Sequence, residues 1–73
     1  MKHTKNALGA IVGANLKRLI KDSTYKTQAR FAEAFGAEER TVSRWCNEGI
    51  DKLSLLVQIA DFFDTDVLTL LSE

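Results

Sequence analysis

Apolar residues recur at the spacing of an α-helix along almost the whole chain, and interruptions in this pattern divide it into five predicted helices. These helices are expected at about residues 8–22, 27–36, 38–47, 53–63 and 67–71. No linker, internal repeat or low-complexity segment separates them, and the chain contains no proline. The pattern therefore predicts an all-α fold.

Several helix boundaries are marked by residues that favour helix ends. The side-chain oxygens of Thr27 and Asp66 can accept a hydrogen bond from a free backbone N–H of the second and fifth helices. Gly36 can take the left-handed conformation that ends a helix without steric cost. Gly9 and Gly13 lie four residues apart in the first helix, a spacing that either permits a neighbouring helix to pack closely or is incidental.

The segment from Thr27 to Gly49 has the pattern of two short helices joined by a tight turn. Its first helix has an apolar face formed by Phe31, Ala32 and Phe35. Its second helix is expected to bury Val42 and Trp45 and to turn a polar face outward, formed by Glu39, Arg40, Thr41, Ser43 and Arg44. A helix-turn-helix presents a recognition helix to the DNA major groove in this way. The alternative is an ordinary solvated face with intrahelical charge pairs.

The length of the chain, 73 residues, allows one small domain, expected over residues 7–73 after a flexible tail of residues 1–6. No apolar run approaches the length of a membrane span, and the N-terminus lacks the features of a signal peptide. One cysteine, Cys46, excludes an internal disulfide, and one histidine, His3, leaves too few ligands for structural zinc. A cytoplasmic protein without metal or cofactor is expected.

The net charge is zero, which argues mildly against binding to nucleic acid, but the charges are unevenly distributed. Residues 1–30 carry seven basic residues and one acid, a net charge of +6. Residues 31–73 carry three basic residues and nine acids, a net charge of −6. A domain polarised in this way can turn its basic side to phosphates. The alternative is that each helix simply has a solvated charged face.

The order of these motifs resembles the Cro/C1-type helix-turn-helix family, the lambda-repressor-like DNA-binding domains. The resemblance runs from about Val12 to Leu71. It is carried by Val12-Gly13 with Leu16, by TQARFAEAFG at residues 27–36, by TVSRW at 41–45 and by LVQIADFFDTDVLTLL at 56–71. It implies a five-helix lambda-repressor-like domain in which helices 2 and 3 form the helix-turn-helix.

The same resemblance implies a transcriptional regulator, a small repressor or Cro-like switch, whose third helix enters the major groove of double-stranded DNA. Carried onto this chain, the base-reading positions are Gln28, Glu39, Arg40 and Arg44. The positions expected to meet the DNA backbone or base edges are Lys26, Thr27, Thr41, Ser43, Asn47 and Lys52.

Four features depart from the family pattern. Glu38 stands where Ser or Thr usually caps the recognition helix, and Cys46 stands where glutamate is common. The loop CNEG after Trp45 is one residue longer than the common form, and the proline often found before helix 4 is missing.

The fourth helix is apolar around most of its surface, and the fifth adds further apolar residues. A small monomer is not expected to cover all of this surface, so a two-fold homodimer is predicted. Its interface is expected at Val67, Leu68 and Leu71. Such a dimer would bind a near-palindromic DNA site.

A second hypothesis keeps the fold but gives it a protein partner, as in an antitoxin or a module that binds a phage factor, with weak or no DNA binding. The near-neutral charge, the Glu38-Glu39 pair and the apolar surface favour it. No Cys/His or Ser/His/Asp grouping and no glycine-rich phosphate loop occurs in the sequence, so an enzyme is not expected.

Overall fold

Helices account for the regular secondary structure of this protein. The computed structural model describes the backbone of residues 2–72 and the side chains of residues 9–72. In chain order the helices are α1 (Lys2–Asp22), α2 (Gln28–Phe35), α3 (Glu39–Glu48), α4 (Leu53–Phe62) and α5 (Val67–Leu71). The all-α prediction is confirmed, and four helices lie within about a residue of their expected bounds. The expected start of the first helix was wrong, because α1 begins at Lys2 and not at about Leu8.

The N-terminal tail, residues 1–6, was expected to be flexible, and this stays a prediction. The side chains of Lys2, His3 and Lys5 lie outside the described residues.

Two predicted caps and one predicted stop are confirmed. The hydroxyl oxygen of Thr27 accepts a hydrogen bond from the backbone N–H of Arg30 at 3.2 Å, and the Asp66 carboxylate accepts one from Leu68 N–H at 3.3 Å. Gly36 ends α2 in the left-handed region, with φ of 93°. Glu38 precedes α3 without a side-chain hydrogen bond to the helix, as expected of glutamate at a cap position.

The core forms around α1, whose residues Val12, Leu16 and Ile20 are buried. This helix packs against α3, α5 and α2, while α4 packs against α5. Aromatic rings fill the side of the core next to α2. The ring of Phe31 lies at its centre, 5.2–6.2 Å between centroids from the rings of Tyr25, Phe35, Phe62 and Phe63. Offset and edge-to-face contacts in this distance range add to the stability gained from burial alone.

The glycines of α1 let it approach the C-terminal end of α3 very closely. A Cβ added to Gly13 would overlap the carbonyl of Cys46, and one added to Gly9 would lie 2.6 Å from the carbonyl oxygen of Glu48. The close packing expected from the spacing of these two glycines is therefore confirmed. It sets the distance between α1 and the end of the predicted recognition helix.

A buried polar residue, Asn15, joins α1 to the end of α5. Its side-chain amide donates hydrogen bonds to the carbonyl oxygens of Leu70 at 2.8 Å and Ser72 at 2.7 Å. Its side-chain oxygen accepts a bond from Arg18 at 3.3 Å. These bonds satisfy carbonyls that the end of a helix leaves without partners. Asn15 was not predicted to make this contact, although it is the polar residue on an otherwise apolar stripe of α1.

Candidate nucleic-acid interface

The helix α3 carries most of the residues predicted to meet DNA. Glu39, Arg40, Arg44 and Asn47 are exposed, while Thr41 and Ser43 are half-buried. The Asn47 amide donates to the hydroxyl of Ser43 at 3.5 Å, one helical turn away. The amide group has two donors, so the other N–H remains available.

Two buried residues on the opposite side of α3 hold its polar face outward. Val42 and Cys46 are buried in the core. Arg40 and Arg44 precede them by two residues each, which corresponds to about 200° around an α-helix. Both guanidinium groups therefore lie on the side of α3 away from the core.

Trp45 lies at the edge of the core and not at its centre. It is partly buried, and its ring packs edge-to-face on Phe35 of α2, with 6.0 Å between the ring centroids. Its predicted packing role is confirmed, but it is less deeply enclosed than Val42. The contact between Trp45 and Phe35 packs α3 against α2.

The start of α2 carries three more of the predicted residues. Gln28 is half-buried, and Lys26 and Thr27 are exposed. The backbone of Lys26 lies in the left-handed region, with φ of 69°, an uncommon conformation for a residue with a long side chain. The Thr27 oxygen is occupied as the helix cap, but its hydroxyl hydrogen can still be donated to an anion.

A groove between α3 and the loop that follows it brings four predicted residues together. Thr41, Arg44, Asn47 and Lys52 line this groove. It also contains two acids, Glu48 and Asp51, beside the two cations. We call it the loop groove. Gln28, Glu39 and Arg40 do not line it.

A second groove lies on the other side of the α3 C-terminus, between that helix and α1. We call it the α1 groove, and its lining residues are Ala10, Ala14, Lys17, Arg18, Lys21, Cys46 and Asn47. Three of them, Lys17, Arg18 and Lys21, are exposed cations, and none of these three was predicted as a site residue. The sequence signal that could have found them is the excess of basic residues in the first thirty positions.

Burial governs the chemistry of the single thiol. It raises the pKa of Cys46, and the nearby Lys17 ammonium opposes this only in part. A raised pKa keeps the thiol protonated near neutral pH, where it is a poor nucleophile. Cys46 thus has the properties of a packing residue.

The residues predicted for a dimer interface differ in exposure. Leu68 is 61% exposed, whereas Val67 and Leu71 pack against the core. Two apolar residues of α4 that were not predicted, Leu53 and Val57, are 66% and 43% exposed. The free apolar surface therefore includes one face of α4 as well as Leu68.

Among the residues whose side chains are described, no three His, Cys, Asp or Glu side chains come close enough together to hold a metal ion. No helix within residues 2–72 has both the length and the apolar character needed to cross a bilayer.

Comparisons with protein-family models, with curated proteins and with solved structures find no match to this chain.

Proposed function

We propose that this protein is a sequence-specific DNA-binding transcriptional regulator with a lambda-repressor-like fold, and that α3 is its recognition helix. The observation that carries the proposal is the division of α3 into two faces. Val42 and Cys46 anchor one face in the core, and Arg40 and Arg44 stand free on the other. This division matches what an α-helix needs in order to lie in the major groove.

The side chains of this face have the chemistry needed to read base edges. Arg40 and Arg44 lie one helical turn apart, and each guanidinium can bond to both acceptors of a guanine. Glu39 can accept a hydrogen bond from cytosine, but its charge repels phosphates, so it favours selectivity over affinity. Gln28 at the start of α2 suits an adenine or a phosphate.

The distribution of charge supports this orientation in spite of the zero net charge. Lys17, Lys21 and Lys26 are exposed and belong to the half of the chain with a net charge of +6. The carboxylates of Asp61 and Asp64 are exposed in the half with a net charge of −6. Exposed cations of this kind can attract the domain to a phosphate backbone.

The working form in this proposal is a homodimer in the cytoplasm. Exposed Leu68 supplies apolar surface for a two-fold contact. Such a contact places two copies of α3 about one DNA turn apart, roughly 34 Å, on a near-palindromic site.

Selection of bound sites from a random duplex library, followed by titration at two salt concentrations, tests the proposal. A regulator enriches one motif, and its affinity falls as salt rises because phosphate contacts release counterions. Absence of binding at both salt concentrations would contradict the proposal.

A second candidate function is a protein-interaction module on the same fold. The exposed Leu53, Val57 and Leu68 favour it, because apolar side chains left open to water mark contact surfaces when they cluster. In this case random duplex DNA shows no binding at either salt concentration.

A further inference from the structure

We infer that Lys17 and Lys21 of α1 form a phosphate-binding stripe that contacts one strand of the duplex beside the recognition helix. This inference rests on the proposed function and adds a backbone-binding site to it. The residues come from a different helix than those assigned to the DNA interface above.

The stripe follows from the spacing of exposed residues on α1. Ala10, Ala14, Lys17 and Lys21 are all exposed and recur at intervals of four, three and four residues. This spacing places them along one side of an α-helix. The first two side chains are small and the last two are long cations, so a DNA strand can pack against the alanines and contact the lysines.

The stripe lies beside the outward face of α3. Lys17 and Lys21 line the α1 groove together with Asn47, which belongs to that face. Asn47 also lines the loop groove with Arg44, and Ala10 of α1 likewise borders both grooves. The ammonium of Lys17 lies near enough to the Cys46 sulfur to influence its ionisation. When α3 enters the major groove, the stripe is therefore carried towards the phosphates that border the groove.

The α1 groove suits a phosphate better than the loop groove does. Its described lining residues include three cations and no carboxylate. The loop groove has two cations and two carboxylates, Glu48 and Asp51. Arg18 is the third cation of the α1 groove, but it donates to the Asn15 side chain. Lys17 and Lys21 are therefore the cations that we assign to the strand.

The test compares the salt dependence of duplex binding by the wild type and by Lys17→Gln/Lys21→Gln. Both lysines are exposed and glutamine favours helices similarly, so the fold is kept, which a melting curve checks. Each lost phosphate contact makes the slope of log affinity against log salt shallower by about 0.9 on B-DNA, so a change of about 1.8 is expected. The preference for a selected site over a scrambled one stays unchanged, because phosphates carry no sequence information.

A charge-matched control separates local contacts from the overall field. Adding Asp61→Asn/Asp64→Asn to the lysine variant restores the net charge to zero, and both acids are exposed. The backbone of Asp64 is left-handed, with φ of 56°, a conformation that asparagine also accepts. The slope should stay shallow in this four-residue variant, while Asp61→Asn/Asp64→Asn alone keeps the wild-type slope.

Each outcome separates the stripe from the proposed function. A wild-type slope in Lys17→Gln/Lys21→Gln, or its recovery on restoring the net charge, overturns the phosphate stripe but leaves DNA binding standing. A wild type that binds no duplex overturns the proposed function and the stripe with it.

Discussion

At the scale of single residues, Arg44 and Trp45 are adjacent positions of one helix with different environments. Arg44 is exposed on the outward face of α3, and Trp45 packs on Phe35 at the edge of the core. Successive residues of a helix are separated by about 100°, so neighbours in sequence can face solvent and core.

Arg44→Ala is expected to weaken binding to a selected site by about 1–3 kcal/mol and to relax base preference at one position of each half-site. Arg44→Lys is the matched variant, because it keeps the charge and loses the bidentate geometry. It should retain the salt slope and still lose the base preference. Binding titrations on a set of single-base operator variants measure both effects.

Lys26→Ala and Lys52→Ala serve as controls, since the loss of a phosphate contact weakens binding to all sequences alike and reduces the salt slope. If Arg44→Ala lowered the affinity for every sequence equally, Arg44 would be a phosphate contact and not a base reader.

Phe31→Ala is expected to destabilise the fold more than Trp45→Ala does. Phe31 is fully buried among four rings, so its loss should cost about 3–5 kcal/mol. Trp45 is only partly buried, so its loss should cost about 2–3 kcal/mol, below the range for enclosed aromatic residues. Urea unfolding of both variants measures the difference. An unchanged midpoint in Trp45→Ala would contradict its packing role.

At the scale of helices, the contact between α1 and α3 controls how the candidate interface is presented. Gly9 and Gly13 remove the side chains that would separate the two helices at the end of α3. Asn47, which lies at this end, borders both grooves. The spacing between α3 and the exposed lysines of α1 therefore depends on these two glycines.

Gly13→Ala is expected to destabilise the protein, although alanine is the better helix former by about 1 kcal/mol. The added methyl overlaps the Cys46 carbonyl, which is backbone and cannot rotate away. Overpacking typically costs about 1–3 kcal/mol of folding stability, and this cost should exceed the gain from helix propensity. Thermal unfolding measures the net change.

Ala14→Gly on the exposed side of α1 is the control, since it reports helix propensity without the helix contact and should cost about 1 kcal/mol. A Gly13→Ala protein more stable than the wild type would show that α3 moves aside at no cost.

At the scale of the whole molecule, three large apolar side chains of α4 and α5 remain exposed. Leu53, Val57 and Leu68 are all more than 40% exposed. A protein of this size buries only a modest core. These three side chains lie outside that core, so a partner can cover them.

Leu68→Lys is expected to abolish cooperative binding to a double site while leaving the melting temperature nearly unchanged, because Leu68 is 61% exposed. Leu53→Lys is the matched control, since Leu53 is 66% exposed but lies outside the predicted interface. Light scattering at high protein concentration and on operator DNA measures the mass. One chain per particle in both conditions would rule out the dimer, and loss of the dimer in Leu53→Lys alone would move the interface to α4.

The helices and all their ends except the start of α1 could be predicted from the sequence, because they depend on interactions between residues close in the chain. The caps at Thr27 and Asp66 and the stop at Gly36 use partners at most four residues away. The outward positions of Arg40 and Arg44 could be predicted for the same reason, from the helical spacing of Val42 and Trp45. The structure buries Cys46 more deeply than Trp45.

Only the tertiary structure decided the contacts between residues far apart in the chain. Asn15 bonds to carbonyls 55 and 57 positions away, and no local pattern identifies such a partner. The placement of Lys17 beside Asn47 depends on the crossing of α1 and α3. The sequence by itself therefore determined the helices and the face that each presents. The packing of those helices decided which faces meet, because those contacts depend on the distances between helices, which helical periodicity does not specify.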